Sequence, residues 1–451
     1  MNPKTTADEV ASRMLKRLGM KSVALPGTFS YQVAMADANR SAELFPGLSA
    51  AVDAGAHRFV WHGTGQRLLE AKLAAIAEAR SSVLMETFIF RDSDIGRRFL
   101  DALTSAARRG VHVRLLVDPI GSFSLRRDYF DPLVSAGGTM RWFNELRLAS
   151  FSFRDHRKLL VVDGAWAFVG GCNIAPEYWG DGITTGWRDG GISVHGPVAA
   201  VLAAEFGRQW ERALGHQWQF PPGGLRQRVQ LDEEREVEAL FIKPGFGRNP
   251  LREALRRDLA TAKDVAITSA YFLPSHRLRY QLAQAVARGA RVRLLLAGKS
   301  DVRLMQLASR SLYRRLLNQG VEIWEYQPQV LHAKLILVDN LVFIGSSNLD
   351  PRSLRINFEI MLRIHDASLA ATARQQFEDD LTHRAIPITR EMLRHQRSWW
   401  QRFKQRLAYW LFARLDAELA GLKLQLWQRR KNRVVRRLRR VRTLTRSSRR
   451  L

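Results

Sequence analysis

Two copies of one polar pattern hold the residues that could do chemistry. Each copy has a histidine, a lysine two positions later and an aspartate five positions after the lysine: His156, Lys158 and Asp163, then His332, Lys334 and Asp339. A Gly-x-x-Asn stretch follows each copy, at residues 170–173 and 345–348. One such triplet arises by chance in roughly one chain in fifty of this length. Two copies at matching places argue strongly against coincidence and indicate a catalytic site.

The chemistry follows from strand geometry. Residues i and i+2 of a strand point to the same face, so each histidine projects together with its lysine. If the copies meet about a pseudo-twofold axis, two ammonium groups and two imidazoles surround one anionic group, such as a phosphodiester. The lysines, with Asn173, Ser347 and Asn348, would neutralise its non-bridging oxygens. One neutral histidine can attack phosphorus while the other donates a proton to the departing alkoxide, which is ping-pong chemistry.

Further carboxylates bear on this mechanism. A nucleophilic imidazole needs an acceptor that fixes its tautomer. Asp189, 33 residues after His156, and Glu359, 27 residues after His332, are predicted to be those acceptors. Asp163 and Asp339, which we include among the candidate catalytic residues, are about as well suited to anchoring a turn.

A metal site is the alternative reading of histidine and aspartate residues in one pattern. The lysine beside each histidine argues against it, because an ammonium group repels a divalent cation and cannot ligate one while charged. We therefore predict a site without metal and without any other cofactor.

The elements around the two copies repeat as well. A strand, then the end of a helix followed directly by a second strand, and then a later strand are predicted in this order twice. The first set lies at 82–89, 106–116 and 159–162, and the second at 265–272, 285–295 and 335–338. The offset of about 180 residues is far too long for a solenoid. It predicts two tandem α/β domains, each a mostly buried mixed sheet flanked by helices. We place an N-terminal extension at 1–45, the domains at 46–225 and 226–393, and a basic amphipathic helical tail at 394–451.

Charge is concentrated in that tail. It holds 19 Lys and Arg against two acids, which is +17 of the net +28. A balance this basic indicates a polyanionic partner, either nucleic acid or an anionic membrane surface. The apolar stripe of the tail suits an interfacial helix, and the alternative is packing against the protein's own core. The predicted membrane-binding residues are Trp399, Trp400, Phe403, Trp410, Arg429, Arg430 and Lys431.

The remaining composition limits where the protein works. No stretch approaches the roughly 18 to 20 uninterrupted apolar residues of a spanning helix, and residues 1–21 lack the apolar run of a signal peptide. The single cysteine, Cys172, excludes an internal disulfide framework and fits a reducing compartment. We expect a protein that is neither exported through a signal peptide nor spans a bilayer, but that can lie on a membrane surface.

The chain resembles the phospholipase D superfamily, whose paired H-x-K-x4-D motifs stand here at 156–163 and 332–339. It is most similar to bacterial cardiolipin synthases of the short type without transmembrane helices. The resemblance covers roughly residues 60 to 385. The passages that carry it are 86–90, 154–158, 170–178, 187–189, 271–274, 331–334, 345–354 and 357–359.

That resemblance implies a reaction and roles. A phosphatidyl group would pass to a hydroxyl of phosphatidylglycerol, and glycerol would leave when the donor is also phosphatidylglycerol. His156 would be the nucleophile and His332 the acid and base. The partners would be phospholipid substrates and an anionic, phosphatidylglycerol-containing membrane surface, without nucleic acid, and the protein would lie peripherally on the cytoplasmic face of a bacterial inner membrane. The sequence does not define an oligomeric state. A hydrolase that releases phosphatidic acid uses the same residues, so the motif does not separate the two. A nuclease is less favoured, because the charge lies in an aromatic-rich tail rather than along a cleft.

Overall fold

The structure, a computed structural model, describes most of the chain between residues 51 and 412. The described residues are 51–54, 57–144, 153–213, 225–230, 236–245, 248–395 and 399–412. They belong to one compact unit, Gly47–Leu451. The predicted extension at 1–45 and the tail beyond residue 412 lie outside the described residues.

Within the described residues, the first half of the chain forms an eight-stranded mixed sheet with the order β1-β2-β8-β7-β6-β3-β4-β5. Its strands are β1 (Ala51–Ala54), β2 (His57–His62), β3 (Ser82–Thr87), β4 (His112–Val117), β5 (Thr139–Trp142), β6 (Leu159–Val162), β7 (Trp166–Gly170) and β8 (Gly191–His195). Its helices are α1 (Gly65–Glu78), α2 (Asp94–Arg108), α3 (Asp131–Ser135) and α4 (Pro197–Ala213).

The second half forms a nine-stranded mixed sheet among the described residues, with the order β17-β13-β12-β11-β14-β15-β16-β10-β9. Its strands are β9 (Leu225–Gln230), β10 (Glu236–Ile242), β11 (Asp264–Ser269), β12 (Arg291–Ala297), β13 (Glu322–Tyr326), β14 (Lys334–Val338), β15 (Leu341–Gly345), β16 (Glu359–His365) and β17 (Ala385–Pro387). Its helices are α5 (Pro250–Asp258), α6 (His276–Ala287), α7 (Arg303–Arg310), α8 (Tyr313–Asn318), α9 (Pro351–Arg355), α10 (Ala367–Arg384), α11 (Arg390–His395) and α12 (Trp399–Trp410).

The two sheets share one topology. In the first, β3 pairs parallel with β4 and antiparallel with β6. In the second, β11 pairs parallel with β12 and antiparallel with β14. The parallel pairs need a crossover helix, which α2 and α6 supply. The predicted α/β class with two mixed, helix-flanked sheets is confirmed, while the domain limits stay a prediction.

Local sequence accounts for the central elements. All four residues of β6 are buried, as expected of an apolar strand covered on both faces. The helix α2 begins where Ser93 Oγ accepts a hydrogen bond from the Gly96 N–H at 3.2 Å, and it buries an apolar stripe that includes Phe99 and Leu103. These elements fix the strand ends at which the motif residues lie.

One apolar core joins the two halves. Val169 and Ile192 of the first sheet belong to the same buried cluster as Ile344 and Leu362 of the second. The sheets therefore meet through their apolar faces, and burial of this surface fixes the motif-bearing strands relative to one another.

The helix α12 ends the described part of the chain. Ala408 is buried and packs on the core of the second half, whereas Phe403 and Trp410 are exposed. The side chains of Trp399 and Trp400, and all of Arg429, Arg430 and Lys431, lie outside the described residues. None of the described helices combines the length and the apolarity that crossing a bilayer requires.

Candidate active site

Two short backbone bridges join the halves beside the motif histidines. The bridged pairs are Asp155 with Phe358, and Arg188 with Leu331. The His156 N–H donates to the Phe358 carbonyl at 3.0 Å, and the His332 N–H donates to the Arg188 carbonyl at 2.8 Å. One bridge thus joins the residue before His156 to the residue before Glu359, and the other joins the residue before His332 to the residue before Asp189. This pairing places both histidines at the junction of the halves.

The histidines and their carboxylates pair across the halves. His156 Nδ1 lies 2.9 and 3.0 Å from the two carboxylate oxygens of Glu359. His332 Nδ1 lies 2.6 Å from Asp189 Oδ2. Order along the chain associated Asp189 with His156 and Glu359 with His332, and the structure exchanges these partners. Each half supplies one imidazole and the acceptor for the other.

The lysines of the motif are buried beside the histidines. Lys158 Nζ donates to the His156 carbonyl at 2.6 Å, and Lys334 Nζ lies 3.2 Å from His332 Nε2. Burial lowers the pKa of Lys158 to about 7, against the opposing effect of Glu359. Burial also lowers the pKa of Lys334. Because both cations pay a desolvation cost, an anion that enters the site gains strongly by pairing with them.

Burial also sets the protonation of the imidazoles. It lowers the pKa of His156 well below the usual range, and the charges of Lys158 and Lys334 lower it further. The pKa of His332 is lowered by burial and by Lys334, while Asp189 opposes this shift. Both rings are therefore neutral at neutral pH before substrate binds, and His332 has the neighbour that favours its protonation.

The Glu359 carboxylate has its own support. Burial raises its pKa to about 7, against the opposing effects of Lys158 and Ser346. Ser346 Oγ donates to Glu359 Oε2 at 2.5 Å and accepts the Ile360 N–H at 3.1 Å. In the first half the equivalent position is Gly171, where a Cβ atom would collide with the Asp189 carboxylate. The two carboxylates are thus held differently.

Aromatic rings enclose both imidazoles. The Phe88 ring centroid lies 4.9 Å from that of His156, in an edge-on contact. Tyr178 and Trp187 lie 5.2 and 5.5 Å from His332. Sequence reasoning gave these rings no role, although Phe88 directly follows a buried strand.

The predicted phosphate-binding residues are all buried. Asn173 Nδ2 donates to the Tyr178 hydroxyl at 2.7 Å, and Asn173 Oδ1 accepts the Ile89 N–H at 3.1 Å. Ser347 Oγ donates to the Asn348 carbonyl at 3.1 Å. Asn348 Oδ1 has no hydrogen-bond partner among the described residues. The amides therefore lie in buried polar surroundings, and their contact with phosphate stays a prediction.

Asp163 and Asp339 make the contacts of turn anchors in this structure, and a catalytic role for them stays a prediction. Asp163 Oδ1 accepts the N–H groups of Ser81 and Ser82, each at 2.8 Å. Asp339 Oδ1 accepts the Asp264 N–H at 2.9 Å in the same way. Asp163 follows β6 and Lys158 precedes it, so about 16 Å of strand separates them. Both aspartates have positive φ, 52° and 50°, and anchor turns.

The described residues contain no group of three or more His, Cys, Asp and Glu side chains that could hold a metal ion. The absence of a metal from the reaction stays a prediction. The chemistry open to the site is that of two oriented imidazoles and two buried ammonium groups around an anion.

Comparison with known proteins identifies the family. The sequence model described as cardiolipin synthase, PLD-like domain, matches residues 73–210 and 255–381, and each match contains one copy of the motif. The chain belongs to the cardiolipin synthase-like family of the phospholipase D superfamily. The resemblance drawn from the motifs is thereby confirmed, as is its enzyme class, a cardiolipin synthase-like phosphatidyltransferase.

Individual relatives support the assignment of this chain to the cardiolipin synthase-like family. Cardiolipin synthase B of Salmonella typhimurium is 33% identical over 358 residues, which cover 76% of this chain and 85% of the relative. Cardiolipin synthase A of Pseudomonas fluorescens is 36% identical over 341 residues, or 72% of this chain and 69% of the relative. The crystal structure of phosphatidylserine synthase from Haemophilus influenzae matches with a TM-score of 0.62 at 15% identity, over 85% of this chain and 99% of that one. This last likeness shows a shared fold.

Proposed function

We propose that this protein makes cardiolipin from phosphatidylglycerol by phosphatidyl transfer through a phosphohistidine. The observation that carries the proposal is the crossed pair of His156 with Glu359 and His332 with Asp189, set beside two buried lysines. Two oriented imidazoles allow one to act as nucleophile while the other moves protons. The names of the relatives, cardiolipin synthases A and B, support the substrate class.

His156 is proposed as the nucleophile. With Nδ1 engaged by Glu359, the lone pair of Nε2 is the one that can attack phosphorus. The His156 side chain keeps 13% exposure against 5% for His332. Asp189 at 2.6 Å favours the protonated form of His332, which suits an acid. An arriving phosphodiester anion adds to this effect, so substrate binding itself charges the proton donor.

The first transfer forms the covalent intermediate. The Nε2 lone pair of His156 forms a P–N bond, the P–O bond to the glycerol headgroup breaks, and His332 gives its proton to the departing oxygen. In the second transfer a hydroxyl of another phosphatidylglycerol attacks phosphorus while His332 takes its proton. The P–N bond then breaks, which frees His156 and releases cardiolipin.

Lys158 and Lys334 are proposed to bind the non-bridging phosphate oxygens, with Asn173, Ser347 and Asn348 as further polar contacts. Charge on those oxygens grows in the pentacoordinate transition state, so buried cations stabilise it more than the ground state. The rings of Phe88, Tyr178 and Trp187 restrict water around the imidazoles. A lipid hydroxyl is thereby favoured over water as the acceptor.

The protein is proposed to act as a peripheral enzyme on anionic lipid at the cytoplasmic face of the bacterial inner membrane. The net charge of +28 supports an anionic surface as partner. The exposed Phe403 and Trp410 on α12 supply apolar side chains suited to the interface.

The test is incubation of purified protein with phosphatidylglycerol vesicles in EDTA, followed by mass spectrometry of the lipids. Cardiolipin and free glycerol are expected from the wild type, and neither from His156→Ala or His332→Ala. His276→Ala, which changes an exposed histidine outside the site, is the matched control and should keep full activity. Phosphatidic acid as the sole product would make the enzyme a hydrolase, and no lipid turnover would refute the proposal.

A further inference from the structure

An exposed apolar side chain lies on the segment that supports the ring over His156. Ser122, in the segment after β4, donates its hydroxyl to the Phe88 carbonyl at 3.3 Å. The Phe88 ring contacts the His156 imidazole. The next residue, Phe123, is 83% exposed, the largest value among the exposed large apolar side chains of the described residues. A single exposed apolar side chain is ordinary, so Phe123 indicates a binding surface only together with other exposed apolar side chains near the site.

The second half has the same arrangement. The Tyr271 hydroxyl donates to Asp301 Oδ2 at 2.6 Å, and the Tyr271 ring lies 6.5 Å from that of His332. Three residues after Asp301, near the start of α7, Leu304 is 50% exposed. Since β4 and β12 hold equivalent places in their sheets, Phe123 and Leu304 flank the two histidines from opposite halves.

The helix α12 extends this apolar surface. It packs against α7, which carries Leu304. Phe403, Leu407 and Trp410 are exposed at positions i, i+4 and i+7, so they form one stripe on the helix. Residues 399–410 contain three basic residues and no acid. Beside Phe123, residues 126 and 127 are both exposed arginines.

We infer that a rim surface, made of Phe123, Leu304 and the stripe Phe403, Leu407 and Trp410, inserts into an anionic phospholipid bilayer at the mouth of the active site. Apolar side chains bordered by cations match the boundary between acyl chains and anionic headgroups. A second copy of a chain with a net charge of +28 would repel it instead. The inference rests on the proposed function for its substrate, and it gives that substrate a route from the bilayer without passing through water.

An environment-sensitive probe tests insertion directly. The one native cysteine, Cys172, is buried, so Phe123→Cys and Leu304→Cys can each be labelled selectively with an NBD dye. Phosphatidylglycerol vesicles should raise the NBD emission and shift it to the blue at both positions. Val134→Cys is the matched control, because Val134 is 53% exposed but lies in α3, on the connection that returns the chain to the opposite end of the parallel strands β4 and β5. Unchanged emission at 123 and 304, or an equal response at 134, would overturn the inference.

Activity separates docking from catalysis. The double variant Phe123→Ser with Leu304→Ser should lose about tenfold or more in vesicle flotation and in turnover of vesicle phosphatidylglycerol. Turnover of monomeric dihexanoyl-phosphatidylglycerol should stay unchanged, because that substrate needs no membrane. Equal losses on both substrates, or a change of oligomeric state with unchanged flotation, would overturn the inference. If the wild type turns over neither lipid, the proposed function fails, and the probe still decides whether the rim surface inserts.

Discussion

At the scale of single residues, the active site depends on groups whose burial brings their pKa close to neutrality. In the proposed mechanism, Glu359 must be ionised to accept the Nδ1–H of a neutral His156, and Lys158 must be charged to bind phosphate. Burial raises the pKa of Glu359 to about 7 and lowers that of Lys158 to about 7. Opposite shifts thus bring a carboxylate and an ammonium group to the same pH range.

A narrow bell-shaped dependence of kcat/KM on pH follows. Activity rises as Glu359 ionises through a pH of about 7 and falls as Lys158 loses its proton through about 7. Bound phosphate raises the pKa of Lys158, so the alkaline limb of kcat should lie at higher pH than that of kcat/KM. Turnover of phosphatidylglycerol measured across this range checks both limbs. A flat kcat/KM over about two pH units around neutrality would contradict the prediction.

Ser346 is expected to control the acidic limb. Its hydroxyl donates to Glu359 Oε2, which favours the ionised carboxylate, so Ser346→Ala should raise the pKa of Glu359. The acidic limb of kcat/KM then moves to higher pH, with about a tenfold loss of activity below it. Ser275→Ala removes a hydroxyl that caps α6 and serves as control. The acidic limb of kcat/KM should not move in this variant. An unshifted limb in Ser346→Ala would remove Ser346 from this role.

The sequence predicted the candidate catalytic residues, but it did not predict which side chains hold them in place. His156, Lys158, His332 and Lys334 are recoverable because their spacing repeats. Ser346 is not recoverable in this way, because its equivalent in the first half is a glycine. The difference exists because the carboxylates that these positions face, Glu359 and Asp189, have side chains of unequal length. Repetition identifies what the halves share, whereas the asymmetry that assigns roles to the two histidines depends on side-chain contacts.

At the scale of elements, the last position of each H-x-K-x4-D motif stabilises the fold. Asp163→Ala removes the acceptor of the Ser81 and Ser82 N–H groups and puts alanine at φ 52°. We expect a loss of about 2–4 kcal/mol in the free energy of unfolding, measured with urea, and near-normal activity per folded molecule. Asp163→Asn keeps a carbonyl acceptor and tolerates positive φ, so it should lose less. A large fall in kcat with unchanged stability would instead support a catalytic role for Asp163.

Strand length explains why this role was ambiguous in the sequence. In the sequence Asp163 stands only five residues after Lys158. The residues between them form the extended strand β6, so the aspartate lies at the far end of that strand. The pattern of strands and helices was predictable because buried strands are continuous apolar runs. Which end of a strand faces the partner half follows from the packing of the two sheets, and no local pattern encodes it.

At the scale of the whole molecule, we expect the crossed carboxylates to affect the two proposed chemical steps differently. A phosphatidyl-p-nitrophenol substrate loses its leaving group without help from an acid. Asp189→Asn, which weakens His332 as acid, should therefore be slow on phosphatidylglycerol yet give a near-normal first-turnover burst of nitrophenol. Glu359→Gln, which weakens His156 as nucleophile, should be slow on both. A burst from Glu359→Gln and none from Asp189→Asn would exchange the roles of the histidines.

The halves are also joined behind the site by a buried charge network. Arg157 lies between His156 and Lys158 but points to the opposite face of the chain. It contacts Glu205 of α4 at 3.1 Å, and Lys243 of the second half lies 3.3 Å from the same carboxylate. Burial alone would raise the pKa of Glu205, but these cations outweigh burial and hold it well below its usual range.

This network predicts that substitutions of Glu205 and of Lys243 change the free energy of unfolding by unequal amounts. Glu205→Gln leaves Arg157 and Lys243 buried without their anion, so we expect a loss of about 3–5 kcal/mol in the free energy of unfolding. Lys243→Met removes a buried cation together with its desolvation cost while Glu205 keeps Arg157, so the change should stay within about 1 kcal/mol. Urea unfolding measures both, and equal losses would mean that the contact between the halves, rather than the buried charge, stabilises the junction.

The depressed pKa of Glu205 also sets the sign of a pH effect. Its contribution to stability is complete above the unfolded pKa of about 4.3 and is lost as pH falls below that value. Glu205→Gln should lack this part of the acid dependence, so the gap in stability between wild type and variant narrows on acidification. A gap that stays constant with pH would show that Glu205 acts through packing and not through its charge.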